Sequence, residues 1–326
     1  MKKLLAVTIM ILFISVSVIP STGTADVKQI IMPTTSGNNL YVGGNGTGNY
    51  TKIQDAIDDA SDGDTVFVYN DSSPYTETLV INVSINLIGE DRDTTVIDGL
   101  HKRIIIEVIS DGVLITNFSI ISDNGWDSGI SVHDSKNIEI CYNYLKPYSY
   151  DNILIINSEF IKIHHNIIRS GADGITMEDS KFINISNNEI FHHFDGIDIG
   201  ESSFINISSN YIHDNNWGLS CDYSYEINII YNNFSNNEIG INNEFSFTTA
   251  FNYNNIINSP STFWSTFISS FLPMPLRTML SNSWNYNYWG KARTYPMPIV
   301  GVLTYGMLPW IVFDWHPASE PYDIGV

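Results

Sequence analysis

Asp151, Asp173 and Asp195 recur at 22-residue intervals, each directly before a recurring turn slot filled by Asn152, Gly174 and Gly196. If the chain stacks on itself with that period, the three carboxylates lie ~4.8 Å apart, the spacing of hydrogen-bonded strands. Carboxylates so close repel one another, so either their pKa values rise or a cation sits among them. Calcium accepts several carboxylate and carbonyl oxygens in flexible geometry, which makes these three the candidate calcium ligands. Lys146 and Arg169 share an earlier slot of the same stack, while His192, His193, His213 and Asp214 fall in its later turns. Arg169 and Asp195 are the candidate catalytic residues; Lys146, His192, His213, Asp214 and Trp217 are the candidate substrate-binding residues. Asp before Gly is also ordinary turn chemistry, which needs no ligand. A second outward set, His133, Glu178, Asp198 and Asp222, is more scattered and reads as a solvated face.

Residues this far apart meet only if the backbone repeats. Gly-Ile steps stand at Gly129, Gly174, Gly196 and Gly240, with Asn152-Ile153 and Gly218-Leu219 in the same slot. Six residues after each slot comes Ser135, Ser158, Ser180, Ser202, Ser224 or Ser246, and an asparagine column runs Asn143, Asn166, Asn188, Asn210, Asn232, Asn254. The interval is 22 residues except for one of 23 between Gly129 and Asn152. A fixed period in this range marks a solenoid. Apolar residues alternate within each period, as in Ile183-x-Ile185 and Ile205-x-Ile207, the pattern of strands with one buried face. The expected fold is therefore an all-β, right-handed parallel β-helix with three strands per turn. Gly and Asn tolerate the left-handed backbone of a corner, and stacked asparagines can pass hydrogen bonds from turn to turn. Asn243 breaks the inward column headed by Val132 and Ile155, so the core is expected to loosen near the last turn.

Acidity narrows the partners. The chain carries 35 acidic against 15 basic residues, a formal charge of −20, which disfavours nucleic acid and any polyanion not bridged by a cation. Lys2, Lys3 and the apolar run Leu4–Ile19, ending near Gly23-Thr24-Ala25, predict an export signal over residues 1–25, cleaved or kept as an anchor. The expected location is secreted or at the cell surface, with no membrane span beyond that segment. Met297–Phe313 is apolar but holds Pro298, Gly301, Gly306 and Pro309. Cys141 and Cys221 sit three to four turns apart, roughly 14–19 Å at the strand spacing, beyond disulfide reach.

Residues 26–100 read as an N-terminal cap with the first turns. Thr51-Lys52-Ile53-Gln54 predicts a capping box, and Ile53, Ala56, Ile57 and Ala60 predict a short amphipathic helix across the open end of the stack. The segments "YVGGNGTGNYTKIQDAIDDASDGDTVFVY" and "INLIGEDRDTTVIDG" resemble the opening of pectin-lyase-like right-handed β-helix proteins. The repeats over 101–258 resemble the NosD-like group among them, found in exported archaeal-type surface proteins. The resemblance implies the fold far more directly than the function. Asp195-Gly196-Ile197-Asp198 resembles the Asn-Thr-Asp-Gly motif of polygalacturonases, with Asp195 matching a catalytic carboxylate. That family needs an Asp-Asp pair one turn on, where this chain has Asn216-Trp217. Pectinesterase motifs are missing as well.

The fold's lyases imply proton removal beside a uronate carboxyl held by calcium, with Lys146 or Arg169 as the nearest base. The function expected is an exported surface protein engaging a polysaccharide or cell-surface glycan, with lyase- or hydrolase-like activity left open. A structural or adhesion module is the first alternative. Copper maturation, associated with the NosD label, is the second; His164-His165 and His192-His193 are the only adjacent histidine pairs and read as exposed. Residues 259–326 are expected to form a capping helix from Ser259-Pro260, with Phe263, Trp264, Phe267, Ile268, Phe271 and Leu272 on one face, and an irregular aromatic tail. The segment between Asn188 and Gly196 is expected to be a loop that absorbs an inserted residue.

Overall fold

The structure, a computed structural model, describes residues 37–99, 103–122, 128–147, 150–244, 246, 248–259, 266–267, 282–303 and 308–325. The export segment lies outside these residues. Among them, no helix is long and apolar enough to cross a membrane. The chain winds as a right-handed parallel β-solenoid, whose described residues form three sheets of 11, 9 and 11 strands. One turn contributes a strand to each sheet in order: Lys181–Ser186 to the first, Glu189–Phe191 to the second, Asp195–Gly200 to the third. Register follows the period, pairing Ile183 with Ile205 and then Ile227.

Alternating isoleucines fill the interior because every second strand residue points inward. Ile185, Ile207 and Ile229 are fully buried in the first sheet; Leu145, Ile168, Ile190, Ile212 and Phe234 line the second. The third-sheet column runs from Val132 through Ile155, Met177, Ile199 and Cys221 and ends on buried Asn243, whose Oδ1 has no partner.

Three ladders hold the corners. Each asparagine of the long column donates its backbone N–H to the Oδ1 of the next, from Asn143 to Asn254, at 2.9–3.0 Å. The file continues through Asn287 to the carboxylate of Asp314 in the tail. Serines do the same from Ser135 to Ser246. A third, shorter file runs His193, Asn215, Asn237, Ser259.

The glycine column exists for a different reason than the expected left-handed corner. Positive φ falls on the residues just before the Asn and Ser ladders, such as Tyr142, His165, Asn187, Ser209 and Tyr231, or Asp179, Glu201 and Tyr223. The column glycines have ordinary φ but pack against the next turn: a Cβ on Gly218 would lie 2.5 Å from the carbonyl oxygen of Gly240. Gly218→Ala should therefore cost ~1–3 kcal/mol through overpacking. Gly200→Ala, whose Cβ would meet nothing nearer than 3.8 Å, should stay within about 0.5 kcal/mol of wild type. Parallel denaturant melts of the two variants check this, and equal midpoints would refute the close-approach account.

Both ends differ in part from the sequence expectation. The helix forms over Ile53–Asp58 and buries Ile53, Ala56 and Ile57, but Lys52 is its N-cap and makes no side-chain cap bond. Glu77 takes that role instead, accepting the N–H groups of Ile53 at 2.9 Å and Gln54 at 3.1 Å. The tail is irregular only in part: Met297–Leu303 and Leu308–Asp314 form an antiparallel hairpin at the end of the third sheet, while residues 315–325 lie in no strand or helix. Phe267, expected on a helix, lies in the short strand Thr266–Phe267; the rest of that expected helix is outside the described residues. The segment after Asn188 is not a free loop either. It holds the second-sheet strand Glu189–Phe191 and His193, only 4% exposed, so an insertion there breaks register.

Candidate functional site: an acidic groove on the third sheet

Outward positions of four successive third-sheet strands make a groove of about 510 Å³. One column reads Thr176, Asp198, Ser220, Asn242, and the next reads Glu178, Gly200, Asp222, Glu244. Asp195 enters at the start of its strand, beside Asp173 on one side and Trp217 on the other. Asp179 and Glu201 bring the lining carboxylates to seven, and Trp217 and Tyr223 add two aromatic rings. Trp217 also packs near Phe194, ring centres 5.8 Å apart.

Crowding and burial shift these acids upward. Burial, then Asp173 and Asp198, push Asp195 to about 8. Burial, then Asp173, Asp222 and Glu178, push Asp198 to about 6. Asp151 rises to about 6 through burial and the charge of Asp173. Asp173 rises through burial, partly opposed by the backbone N–H of Asp195, which donates to it at 3.0 Å. Asp195 is thus held further above the ordinary carboxyl range than its neighbour Asp198. Its Oδ1 is buried and has no partner.

Of the expected calcium set, Asp173 and Asp195 come together with Asp198: one oxygen from each lies within 4.8 Å of the others. Asp151, one turn earlier, feels the charge of Asp173 and Asp198 but is not in that triad. Asp198, Glu178 and Asp222, read from sequence as a solvated face, are part of the groove, and Glu244 was not singled out at all. Their spacing was a usable signal, since Glu178, Asp222 and Glu244 occupy one slot at multiples of 22. His133 stays out of the groove, bonded to Ser131 at 2.7 Å.

The remaining expected residues gather on the second sheet. The Arg169 guanidinium lies over the Phe191 ring at 5.6 Å, and His213 stacks on the ring's next-turn side at 4.9 Å. His213 also bonds Asp214 at 2.7 Å, which holds the Asp214 carboxyl below its ordinary range. His192 meets Phe191 edge-on, and Lys146 is exposed at the end of its strand. Among the described residues, no ion pair joins Arg169 or Lys146 to Asp173, Asp195 or Asp198. His193, expected to be exposed, is buried, and burial lowers it to about 4; its Nε2 donates to the Ile168 carbonyl.

Comparison with known proteins agrees with this architecture. The solenoid is similar to a polygalacturonase from Erwinia carotovora ssp. carotovora, with TM-score 0.55, 14% identity, 86% of this chain and 91% of that one covered. A periplasmic alginate epimerase, AlgG, aligns at TM-score 0.46 and 11% identity over 78% of this chain and 73% of its own. The enzymatically active domain of bacteriophage CBA120 tailspike protein 2 aligns at TM-score 0.42 and 14% identity over 70% of this chain, which spans only 43% of that domain. At such identities the likeness is one of fold. No curated protein matches the sequence. The family model described as "Periplasmic copper-binding protein (NosD)" matches residues 57–267, about two thirds of the chain. That span starts in the N-terminal helix and takes in the described turns and ladders as far as Thr266–Phe267; the chain belongs to the NosD family.

Proposed function

We propose that the chain is an exported β-helix protein that binds a polysaccharide along the third-sheet groove. The observation that carries this reading is Asp195: a buried carboxyl with an unpartnered oxygen, within 4.8 Å of an Asp198 oxygen and in register with Trp217 in the same groove. A pyranose offers an apolar face to an indole and hydroxyls to both carboxyls. Two carboxyls whose pKa values are pushed apart also supply the acid and base of glycoside hydrolysis, with Asp195 as acid. The long, open groove suits a chain rather than a monosaccharide. The polygalacturonase fold likeness and the family's periplasmic description support a glycan outside the cytoplasm. Seven carboxylates disfavour a bare polyuronate, so a neutral glycan is the expected ligand.

A glycan-array screen with chelator tests this. Wild type should bind neutral polysaccharide, and Trp217→Ala should lose roughly tenfold or more, about 1.4 kcal/mol. Undiminished binding by a folded Trp217→Ala variant would remove the groove from consideration. A second reading rests on the Asp173–Asp195–Asp198 triad, whose hard oxygens suit calcium. Uronate binding that appears only with calcium, and disappears in Asp173→Asn, would favour it. Copper, named in the family description, does not fit this all-oxygen groove, because copper favours sulfur and imidazole donors. A cluster with those donors occurs on the first sheet.

A further inference from the structure

Cys141, on the first-sheet strand Glu139–Cys141, pairs in register with His164 one turn on. Glu139, two residues before Cys141, shares its side of the strand. The thiol sulfur, one imidazole nitrogen and one carboxylate oxygen all lie within 4.8 Å of one another. His164 Nε2 is 3.0 Å from Glu139 Oε1, and its Nδ1 is 2.9 Å from Nδ1 of His165. His165 is itself held by stacking on Tyr142, ring centres 4.7 Å apart. Without a cation, His164 Nε2 donates to the Glu139 carboxylate; a cation bound at Nε2 displaces that proton, and the ring then keeps its proton on Nδ1 and donates to His165. His165 thus holds the far nitrogen of the imidazole, as an outer hydrogen-bond partner orients a metal-ligating histidine.

We propose that Glu139, Cys141 and His164 bind one thiophilic d10 cation, cuprous copper or zinc, at a site separate from the groove. A thiolate selects such ions over calcium and magnesium, and the imidazole suits both candidates. Binding replaces the Cys141 thiol proton, which leaves to solvent. Two ligands about 2.0–2.1 Å from one tetrahedral cation stand roughly 3.3 Å apart, so the Nε2–Oε1 pair needs to open by only a few tenths of an ångström. Lys162 Nζ lies 3.8 Å from Glu139, but its side chain is largely exposed and can swing into water. Cys221, the other thiol, is fully buried on the third sheet and belongs to no such cluster among the described residues. The inference is independent of the glycan reading, since it is measured without any glycan.

The reduced full-length chain is titrated anaerobically with cuprous ion against bicinchoninate, and separately with zinc against a chromophoric chelator. One equivalent of one ion should bind, and the stronger arm identifies it. Cys141→Ser should weaken binding at least 100-fold and His164→Gln at least tenfold, while Cys221→Ser leaves it unchanged. X-ray absorption of a zinc-loaded sample should show one sulfur at about 2.3 Å. Far-UV circular dichroism confirms the fold of each variant, and His164→Gln, altered on the outward side, serves if Cys141→Ser fails to fold. No competition by wild type for either ion, or an equivalent retained in both His164→Gln and Cys141→Ser, overturns the assignment.

Discussion

Asp195→Asn should raise the melting temperature at pH 8 and leave it unchanged near pH 4, with calcium chelated throughout. Burial and the neighbouring Asp173 and Asp198 hold the Asp195 carboxyl at about 8 in the folded chain, against about 3.9 for a free aspartate. Below pH ~3.9 the group is neutral folded or unfolded, and the stability associated with it is fully present. As the pH climbs toward 8, the unfolded chain ionises freely while the folded one does not, so unfolding releases a proton and stability falls. Above pH ~8 the loss is complete and constant. Four units at 1.36 kcal/mol each set an upper bound, and relaxation with water entry reduces it. A difference of ~2–4 kcal/mol, or about 5–10 °C, is expected at pH 8. Asparagine keeps the shape and cannot ionise, so its curve should be flatter. Because Asp198 titrates nearby, the transition belongs to the pair and is broad. Parallel pH profiles for wild type and variant would mean that Asp195 is solvated, and the groove's acid–base reading would go with it.

Asp314→Ala should lower stability by ~3–5 kcal/mol. Asp314 is fully buried, and one of its oxygens accepts from the Asn287 backbone at 2.9 Å, the Asn287 amide at 3.1 Å and the Trp289 indole at 3.1 Å. Its other oxygen accepts from the His316 backbone at 3.1 Å. Alanine strands these donors in the interior, at about 1–3 kcal/mol for each one that water cannot reach. Asp314→Asn keeps one acceptor oxygen and should fall between. Thermal melting with light scattering reads the result, because loosening the tail also opens the end of the stack to edge pairing. A melting temperature unchanged in Asp314→Ala would show that the tail docks without the ladder.

How legible each feature was depends on whether it obeys the 22-residue period. The Ser and Asn ladders and the isoleucine columns repeat that period many times, so sequence alone placed them. The His193–Asn215–Asn237–Ser259 file shares the period but has only two asparagines and a histidine at its head, too few to stand out. Asp314 was invisible for a stronger reason: it lies 27 residues beyond Asn287, off the register, and reaches the ladder through the hairpin. Glu77 caps the helix from 24 residues away for the same kind of reason. In the groove, Asp195 and Trp217 were singled out because they adjoin the glycine slot. Glu178 and Asp222 read as a scattered, solvated face and Glu244 was left out, since Gly200 interrupts their column. The second-sheet residues were grouped with them because a linear register shows which turn a residue is on more plainly than which face it points from.

The ladders have a genetic corollary. Each corner bond joins a residue to its counterpart in the neighbouring turn, so an in-frame duplication of one whole period adds a turn that finds every partner already in place. The groove is different, because each outward slot changes residue from turn to turn, Asp195 giving way to Trp217 and Glu178 to Gly200. Copying the turn that carries Asp195 would lengthen the acidic row without disturbing the stack, whereas copying the turn of Trp217 would add a second indole. New ligand specificities can thus arise by copying turns and drifting outward residues, while the inward isoleucines and the corner amides stay as they are.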